Sequence, residues 1–293
     1  MKLTTKWTAL LLTLVIACGM TADVNAERIE TAETEITEED FTPKRGLRTP
    51  GGCRPKPEED PTAETGAGAC GWYCAHTTNG QRPNAPGEMS WLTEHGGYFL
   101  GADEKVIYLT FDAGYENGNI AKILDTLKAE NVPGAFFILK NLAERNPELV
   151  QRMAAEGHTI CNHTARHKDM TTFTEEAFGA ELADMEKICL EATGCEMAHY
   201  YRPPEGRLSE ENVAWAEKLG YKTILWSYAY ADWDNDRQMS PDKALAKVLA
   251  GTHNGEVILL HPTSATNAAI LGDLIRAWKA EGYRFGTLDE LTK

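Results

Sequence analysis

From residue 106 onward, continuous apolar runs alternate with stretches of helical spacing. Val106-Ile107-Tyr108-Leu109 opens an apolar run over 106–111, read as a buried strand. Residues 120–130 then bring apolar side chains round at helical spacing. The alternation continues with strands over 134–138, 159–162, 199–202, 223–227, 257–260 and 283–286. Helices are predicted over 148–156, 174–192, 209–219, 241–250 and 267–281, with a short terminal helix from Thr287. Thr174 and Ser209 stand where N-caps are wanted, and Pro241 stands near a helix start. Seven strands alternating with helices imply an α/β protein with a mainly parallel sheet covered by helices. An open sheet and a barrel both satisfy the pattern. The count favours an irregular (β/α)7 TIM-like barrel.

Upstream the pattern changes. Lys2 and Lys6 precede an apolar run over 8–17 that is short for a membrane span. Val24-Asn25-Ala26 supplies small residues for a signal peptidase, so residues 1–26 read as a signal peptide. Val15-Ile16-Ala17-Cys18 also resembles a lipobox, which would lipidate Cys18. Both readings place the protein outside the cytoplasm, in the cell envelope or extracellular space. Residues 27–68 form an acidic stretch poor in apolar residues, read as a disordered linker. Residues 69–104, with Gly71-Trp72-Tyr73 and Asn79-Gly80, are expected to pack as an N-terminal extension on a catalytic domain spanning 105–293.

Charge and cysteines narrow the picture further. A formal charge of -15 argues against a nucleic-acid partner, which needs a basic face. Beyond Cys18 there are Cys53, Cys70, Cys74, Cys161, Cys189 and Cys195, and an exported chain permits disulfides between them. Cys53 could pair with Cys70 or Cys74, and Cys189 with Cys195.

In a parallel α/β architecture, active groups gather at the C-terminal ends of the strands. Those ends carry Asp112, then His163 and His167, then Arg202, Asp232 with Trp233, and His261. Taken singly, Asp112 reads as a turn cap and His261 as a satisfied, half-buried histidine. His163-x-x-x-His167 places two imidazoles where they can converge on a divalent metal. Arg202 can hold a carboxylate such as Asp112 ionised, and Asp232 can orient His261 and keep it protonated. The acidic run Asp232-Trp233-Asp234-Asn235-Asp236 lacks the glycine and terminal glutamate of a calcium loop. Together the groups suit metal-assisted hydrolysis, with Asp112 taking the proton of water and His261 protonating a leaving amine.

Thr110-Phe111-Asp112-Ala113-Gly114, His163-x-x-x-His167, Arg202-x-Pro204-x-Gly206, Asp232-Trp233 and Leu259-x-His261 follow one another as the five motifs of the polysaccharide deacetylases do. The chain resembles this family of NodB-homology carbohydrate esterases from about residue 105 to 291. Thr110-Phe111-Asp112 continued through Gly114-Tyr115-Glu116-Asn117-Gly118 is similar to the branch that deacetylates peptidoglycan N-acetylmuramic acid on the way to muramic δ-lactam in the spore cortex. The resemblance implies that Asp112 is the base, His163 and His167 the metal ligands, and Arg202 the group that tunes the base. It implies that Asp232 supports His261 as the acid. Trp233 and Leu259 would line the acetyl pocket. The Glu205 N–H is a candidate oxyanion donor, and Pro204 and Tyr115 complete the expected substrate contacts.

The implied cofactor is a divalent metal, zinc being the expectation. Most of the family carries a second Asp where this chain has Ala113, and a methyl cannot ligate, so a weakened two-histidine site is expected. Glu116 and Asn117 are the neighbours that could reach in as replacements. The implied partners are peptidoglycan glycan strands, with functional dependence on a muramoyl-alanine amidase, and the protein is expected to be a monomer. Two other readings stay open: deacetylation of peptidoglycan N-acetylglucosamine or chitin-like glycans, and a wall-binding pseudoenzyme.

Overall fold

The computed structural model describes residues 68–293, which lie within one compact unit, 48–293. The expected signal peptide, with Cys18, and almost all of the expected linker fall outside the described residues. Among the described residues, no helix is long and apolar enough to cross a membrane.

In chain order, the extension supplies β1 (Cys70–Gly71), a 3-10 segment (Gly87–His95) and β2 (Gly97–Tyr98). The main domain follows as β3 (Val106–Ala113), α1 (Ile120–Glu130), β4 (Ala135–Ile138), α2 (Lys140–Arg145) and α3 (Pro147–Ala155). Then come β5 (Thr159–Asn162), α4 (Glu175–Thr193), β6 (Ala198–Tyr201), β7 (Arg207–Leu208) and α5 (Glu210–Lys218). Next are β8 (Lys222–Ile224), β9 (Tyr228–Ala229), α6 (Pro241–Gly251) and β10 (Glu256–Leu260). The chain ends in α7 (Ala265–Ala280), β11 (Arg284–Phe285) and α8 (Leu288–Leu291).

The helix starts lie where cap chemistry puts them. The Thr174 hydroxyl accepts from the Ala177 N–H at 3.3 Å, and the Ser209 hydroxyl from the Asn212 N–H at 3.2 Å. Pro241 opens α6, where a missing N–H costs nothing.

β4, β3 and β10 pair in parallel as neighbours, as do β4, β5, β6 and β8. The strand expected over 223–227 is instead two short pieces. β8 pairs with β6, and β9 pairs with β10. The stretch 222–229 therefore joins both sides of the sheet, which curls into an irregular barrel. Between the pieces the Ser227 N–H still donates to the Val257 carbonyl at 2.8 Å. The gap beside β8 is filled by the extension: β2 pairs with Thr223 and Ile224, and Leu100 bridges to Glu256. β11 pairs with the first two residues of β3, below the point where β4 takes over.

Side chains alternate across β3 with a period of two. Ile107, Leu109, Phe111 and Ala113 pack with α1 and α7 residues in the helix-facing core. Val106 and Tyr108 pack in a second cluster with Phe137, Cys161, Tyr200 and Val257. Thr110 and Asp112 share the face of Val106 and Tyr108, so alternation places these two polar groups inside the barrel.

The cysteine pairing differs from one expectation. Cys189 and Cys195 are separate thiols, as are Cys74 and Cys161. Cys189 is buried within α4, and its sulfur lies 3.5 Å from the Cys195 carbonyl oxygen rather than against the other sulfur. Cys70 is disulfide-bonded.

Candidate active site

The strand ends open into one cleft of about 900 Å³, whose walls include Asp112, His163, His167, Glu205, Leu259 and His261. Asp112, near the end of β3, accepts from Arg202 Nη1 at 2.8 Å. Arg202 is fully buried and spends its other donors nearby. Nε donates to the Ile224 carbonyl at 2.9 Å, and Nη2 to Thr110 Oγ1 at 2.9 Å and the Leu225 carbonyl at 3.3 Å. Its guanidinium lies 4.1 Å from the Phe137 ring centre. A buried cation with this many fixed partners can move little. Burial pushes the Asp112 carboxyl up, but Arg202, His163 and His261 outweigh it and hold the pKa below the ordinary carboxylate value.

His163 Nδ1 donates to the Arg202 carbonyl at 2.9 Å. A carbonyl only accepts, so this bond fixes the tautomer and leaves the Nε2 lone pair free, 3.5 Å from Asp112 Oδ2. Burial, opposed by Asp112, pulls the imidazole pKa down to about 4, so the ring is neutral at pH 7. The His167 ring packs edge-on to it at 5.0 Å between centroids.

The loop that carries the two histidines is strained and braced. Thr164 and His167 have φ of 71° and 55°, conformations costly for side chains with a Cβ. The Asn162 side chain accepts from the Thr164 N–H at 2.9 Å, and Thr164 Oγ1 accepts from the His167 N–H at 2.9 Å. Buried Glu181, from α4, accepts from the Arg166 N–H at 2.7 Å and also pairs with its guanidinium.

Across the cleft, His261 Nδ1 donates to Asp232 Oδ1 at 2.7 Å, and the His261 N–H donates to Oδ2 at 2.8 Å. Burial lowers the imidazole pKa, but the Asp232 charge and hydrogen bond outweigh it and raise the pKa above the ordinary histidine value. Asp232 receives a third bond, from Asn267 Nδ2 at 2.6 Å. Asn267 Nδ2 also donates to the His261 carbonyl at 3.1 Å, and Asn267 Oδ1 accepts from the Tyr230 hydroxyl. Sequence reasoning did not single out Asn267, Tyr230 or Thr110 for the site. A usable signal for Asn267 was the Ser264-x-x-Asn267 helix start six residues beyond His261, where the Ser264 hydroxyl accepts from the Asn267 N–H at 3.0 Å.

The remaining candidates divide. Trp233 lines the cleft, with its ring 6.2 Å from that of His261. Tyr115 lines it too, and its hydroxyl accepts from Asn235 Nδ2 at 2.7 Å. Pro204, expected as a substrate contact, is buried and absent from the cleft wall. It precedes Glu205, which has a φ of 55° and does line the cleft. Glu116 and Asn117 do not reach the histidines. Glu116 accepts from the N–H groups of Gly118 and Ile120 at 2.5 and 3.0 Å, and Asn117 donates to the Thr263 carbonyl at 2.8 Å. Ala113 is buried in the helix-facing core. Among the described residues, no group of three His, Cys, Asp or Glu side chains is placed to hold a metal. The donor set nevertheless suits a divalent ion in part: one neutral imidazole has its tautomer fixed with Nε2 free, and a second lies beside it.

A curled parallel barrel with a paired carboxylate, an Asp-held histidine and two further imidazoles at its strand ends has the makings of a hydrolase. The polysaccharide deacetylase family model matches residues 100–224. The peptidoglycan-N-acetylmuramic acid deacetylase PdaA of Bacillus subtilis is 38% identical over 222 residues, 75% of this chain and 84% of that protein. A peptidoglycan-N-acetylglucosamine deacetylase of Bacillus cereus is 33% identical over 208 residues, 69% of this chain and 74% of that protein. The structure of Bacillus subtilis PdaA, a family 4 carbohydrate esterase, superposes with a TM-score of 0.73 at 37% identity, covering 76% of this chain and 96% of that one. This chain belongs to the polysaccharide deacetylase family, whose members are metal-dependent hydrolases of N-acetyl amide bonds.

Proposed function

We propose that the protein is an exported peptidoglycan deacetylase acting on N-acetylmuramic acid, the freed amine then closing onto the lactyl carboxyl as muramic δ-lactam. The observation that carries the catalytic part is the placement of two braced groups on one cleft: Asp112 held by Arg202, and His261 held by Asp232. The choice of muramic acid is supported by the likeness to PdaA, which extends well beyond the family model.

His163 and His167 would hold the metal, with zinc the proposed ion. A metal there supplies polarisation of the acetyl carbonyl and of the attacking water. The chain's own groups do the proton work. Asp112 accepts a proton from the water as its oxygen bonds to the acetyl carbon. The Glu205 N–H faces the oxygen that gains charge. The Asp232 charge favours the imidazolium form of His261; with Nδ1–H committed to Asp232, the proton it can transfer is the one on Nε2, and it goes to the sugar nitrogen as the C–N bond breaks. Acetate and a free amine leave. Leu259 and Trp233 enclose the acetyl methyl.

Lactam closure requires a lactyl carboxyl freed of peptide, so a muramoyl-alanine amidase acts first. A role in sporulation follows from that product, and the protein works as a monomer. Incubation with amidase-treated glycan strands, followed by muropeptide analysis, tests the proposal. Free muramic amine or its lactam is expected. Absence of both overturns the muramic reading, and deacetylated glucosamine in their place transfers the activity to the other sugar.

A further inference from the structure

Among the described residues, the exposed large hydrophobic side chains are Tyr73, Tyr115, Leu190, Leu219 and Trp233. Isolated exposed apolar residues are ordinary on a protein surface. Here, however, all three aromatics line the one cleft that holds Asp112 and His261, and neither leucine does. Tyr115 follows β3 and Trp233 follows β9. Tyr73 comes from the extension, outside residues 100–224 that the family model matches.

The segment that carries Tyr73 is fixed on both sides of it. β1 pairs antiparallel with β7, directly after the Pro204–Gly206 turn. The Trp72 N–H donates to the Gly206 carbonyl at 2.8 Å, and the Trp72 indole N–H to the Trp226 carbonyl at 2.9 Å. A side chain at Gly206 would meet Trp226 at 2.8 Å and Trp72 at 3.1 Å, so the contact is close-packed. Beyond Tyr73, His76 Nε2 lies 2.7 Å from the Ala229 carbonyl oxygen, and its ring stacks on Tyr228 at 5.0 Å. Trp72 is 3% exposed and Tyr73 is 37% exposed. Trp72 and His76 anchor the segment, and the Tyr73 ring is left free at the rim.

We infer that Tyr73 is the stacking platform of an added saccharide subsite, which takes a sugar ring neighbouring the one whose acetyl group faces Asp112. This inference rests on the glycan-deacetylase reading above. The C–H-rich face of a pyranose packs on an aromatic face through dispersion and the removal of apolar surface from water. The cleft, at about 900 Å³, lies toward the top of the ~300–1,000 Å³ range of ligand sites, leaving room beyond a single acetylated ring. The substrate class is a glycan of several sugars, and the extension is part of what selects it.

The test measures kcat and KM for wild type, Tyr73→Ala and Tyr73→Phe on peptide-free glycan fragments graded from disaccharide to octasaccharide. Acetate release from a small aryl acetate serves as the control for folding and basal chemistry. For Tyr73→Ala, KM on the long fragments should rise roughly tenfold, the size of one aromatic stack, with kcat and aryl acetate turnover unchanged. Tyr73→Phe should restore the wild-type KM. Equal KM values for wild type and Tyr73→Ala at every length would overturn the subsite, and so would a loss that is the same for the aryl acetate. If wild type releases no acetate from any glycan fragment, the deacetylase reading fails. Retention of the octasaccharide by wild type but not Tyr73→Ala, measured by calorimetry, would then still support the subsite, and equal retention would overturn it.

Discussion

Asp232→Asn separates charge from shape at the acid side of the site. Asp232 accepts three buried hydrogen bonds, from His261 Nδ1 at 2.7 Å, the His261 N–H at 2.8 Å and Asn267 Nδ2 at 2.6 Å. An asparagine offers one acceptor oxygen and an NH2 group. Whichever way it is turned, the NH2 faces at least one of those donors. A buried donor left without a partner costs about 1–3 kcal/mol, so loss of stability of that order is expected. The catalytic loss is larger. In the wild type, burial lowers the His261 pKa, but the Asp232 charge more than compensates. Removing the charge leaves burial in command, so the pKa falls below the ordinary value near 6.5. At pH 7 His261 is then neutral and has no proton to give through Nε2. Loss of a positioned general acid is worth roughly 10²–10⁴-fold, and kcat should fall by that factor. The alkaline limb of the kcat/KM profile should move to lower pH. A variant within a few-fold of wild type, with its alkaline limb in place, would refute His261 as the acid.

Three further outcomes follow from the same geometry. Arg202→Met removes the cation that holds Asp112 below the ordinary carboxylate pKa, so burial acts unopposed by it and the acid limb of kcat/KM moves to higher pH; breaking this buried pair should cost about 3–5 kcal/mol in denaturant melts. Glu256 is fully buried, with Oε1 lacking a hydrogen-bond partner, and burial raises its pKa to about 8. Its unfolded pKa is about 4.3, so the folded carboxyl stays protonated while the unfolded one ionises, and stability is lost as pH rises between the two values. Glu256→Gln should therefore raise Tm at pH 7–8 and leave it nearly unchanged at pH 4; an equal shift at both would contradict the sign. Chelator-stripped protein titrated calorimetrically with zinc should bind it, and His163→Ala should weaken binding by at least about tenfold.

The strand–helix alternation was legible because each element carries a local signal. Continuous apolar runs mark strands covered on both faces, and Thr174, Ser209 and Pro241 mark helix starts. The break between β8 and β9 was not legible. The apolar stretch Ile224-Leu225-Trp226 runs on without a local break signal, and only pairing with two different neighbours shows where the strand divides. At the site, Asp112, Arg202, Asp232 and His261 could be read because each stands at a strand end. Asn267 and Tyr230 complete the same network from α7 and the end of β9, as polar residues with nothing local to distinguish them. Glu116 looked close enough to ligate a metal, but cap chemistry turns it to the N–H groups at the start of α1. Cys189 and Cys195 looked close enough to bond, but the helix aims the Cys189 sulfur at a carbonyl.

The central claim is that Asp112, ionised beside Arg202, is the base of an N-acetyl hydrolase. Acetate release from amidase-treated glycan strands by wild type and Asp112→Asn tests it most directly, with glycan binding measured alongside. The account predicts steady release by wild type, and release reduced at least about 10²-fold by Asp112→Asn with binding retained. Release by Asp112→Asn at the wild-type rate would contradict it.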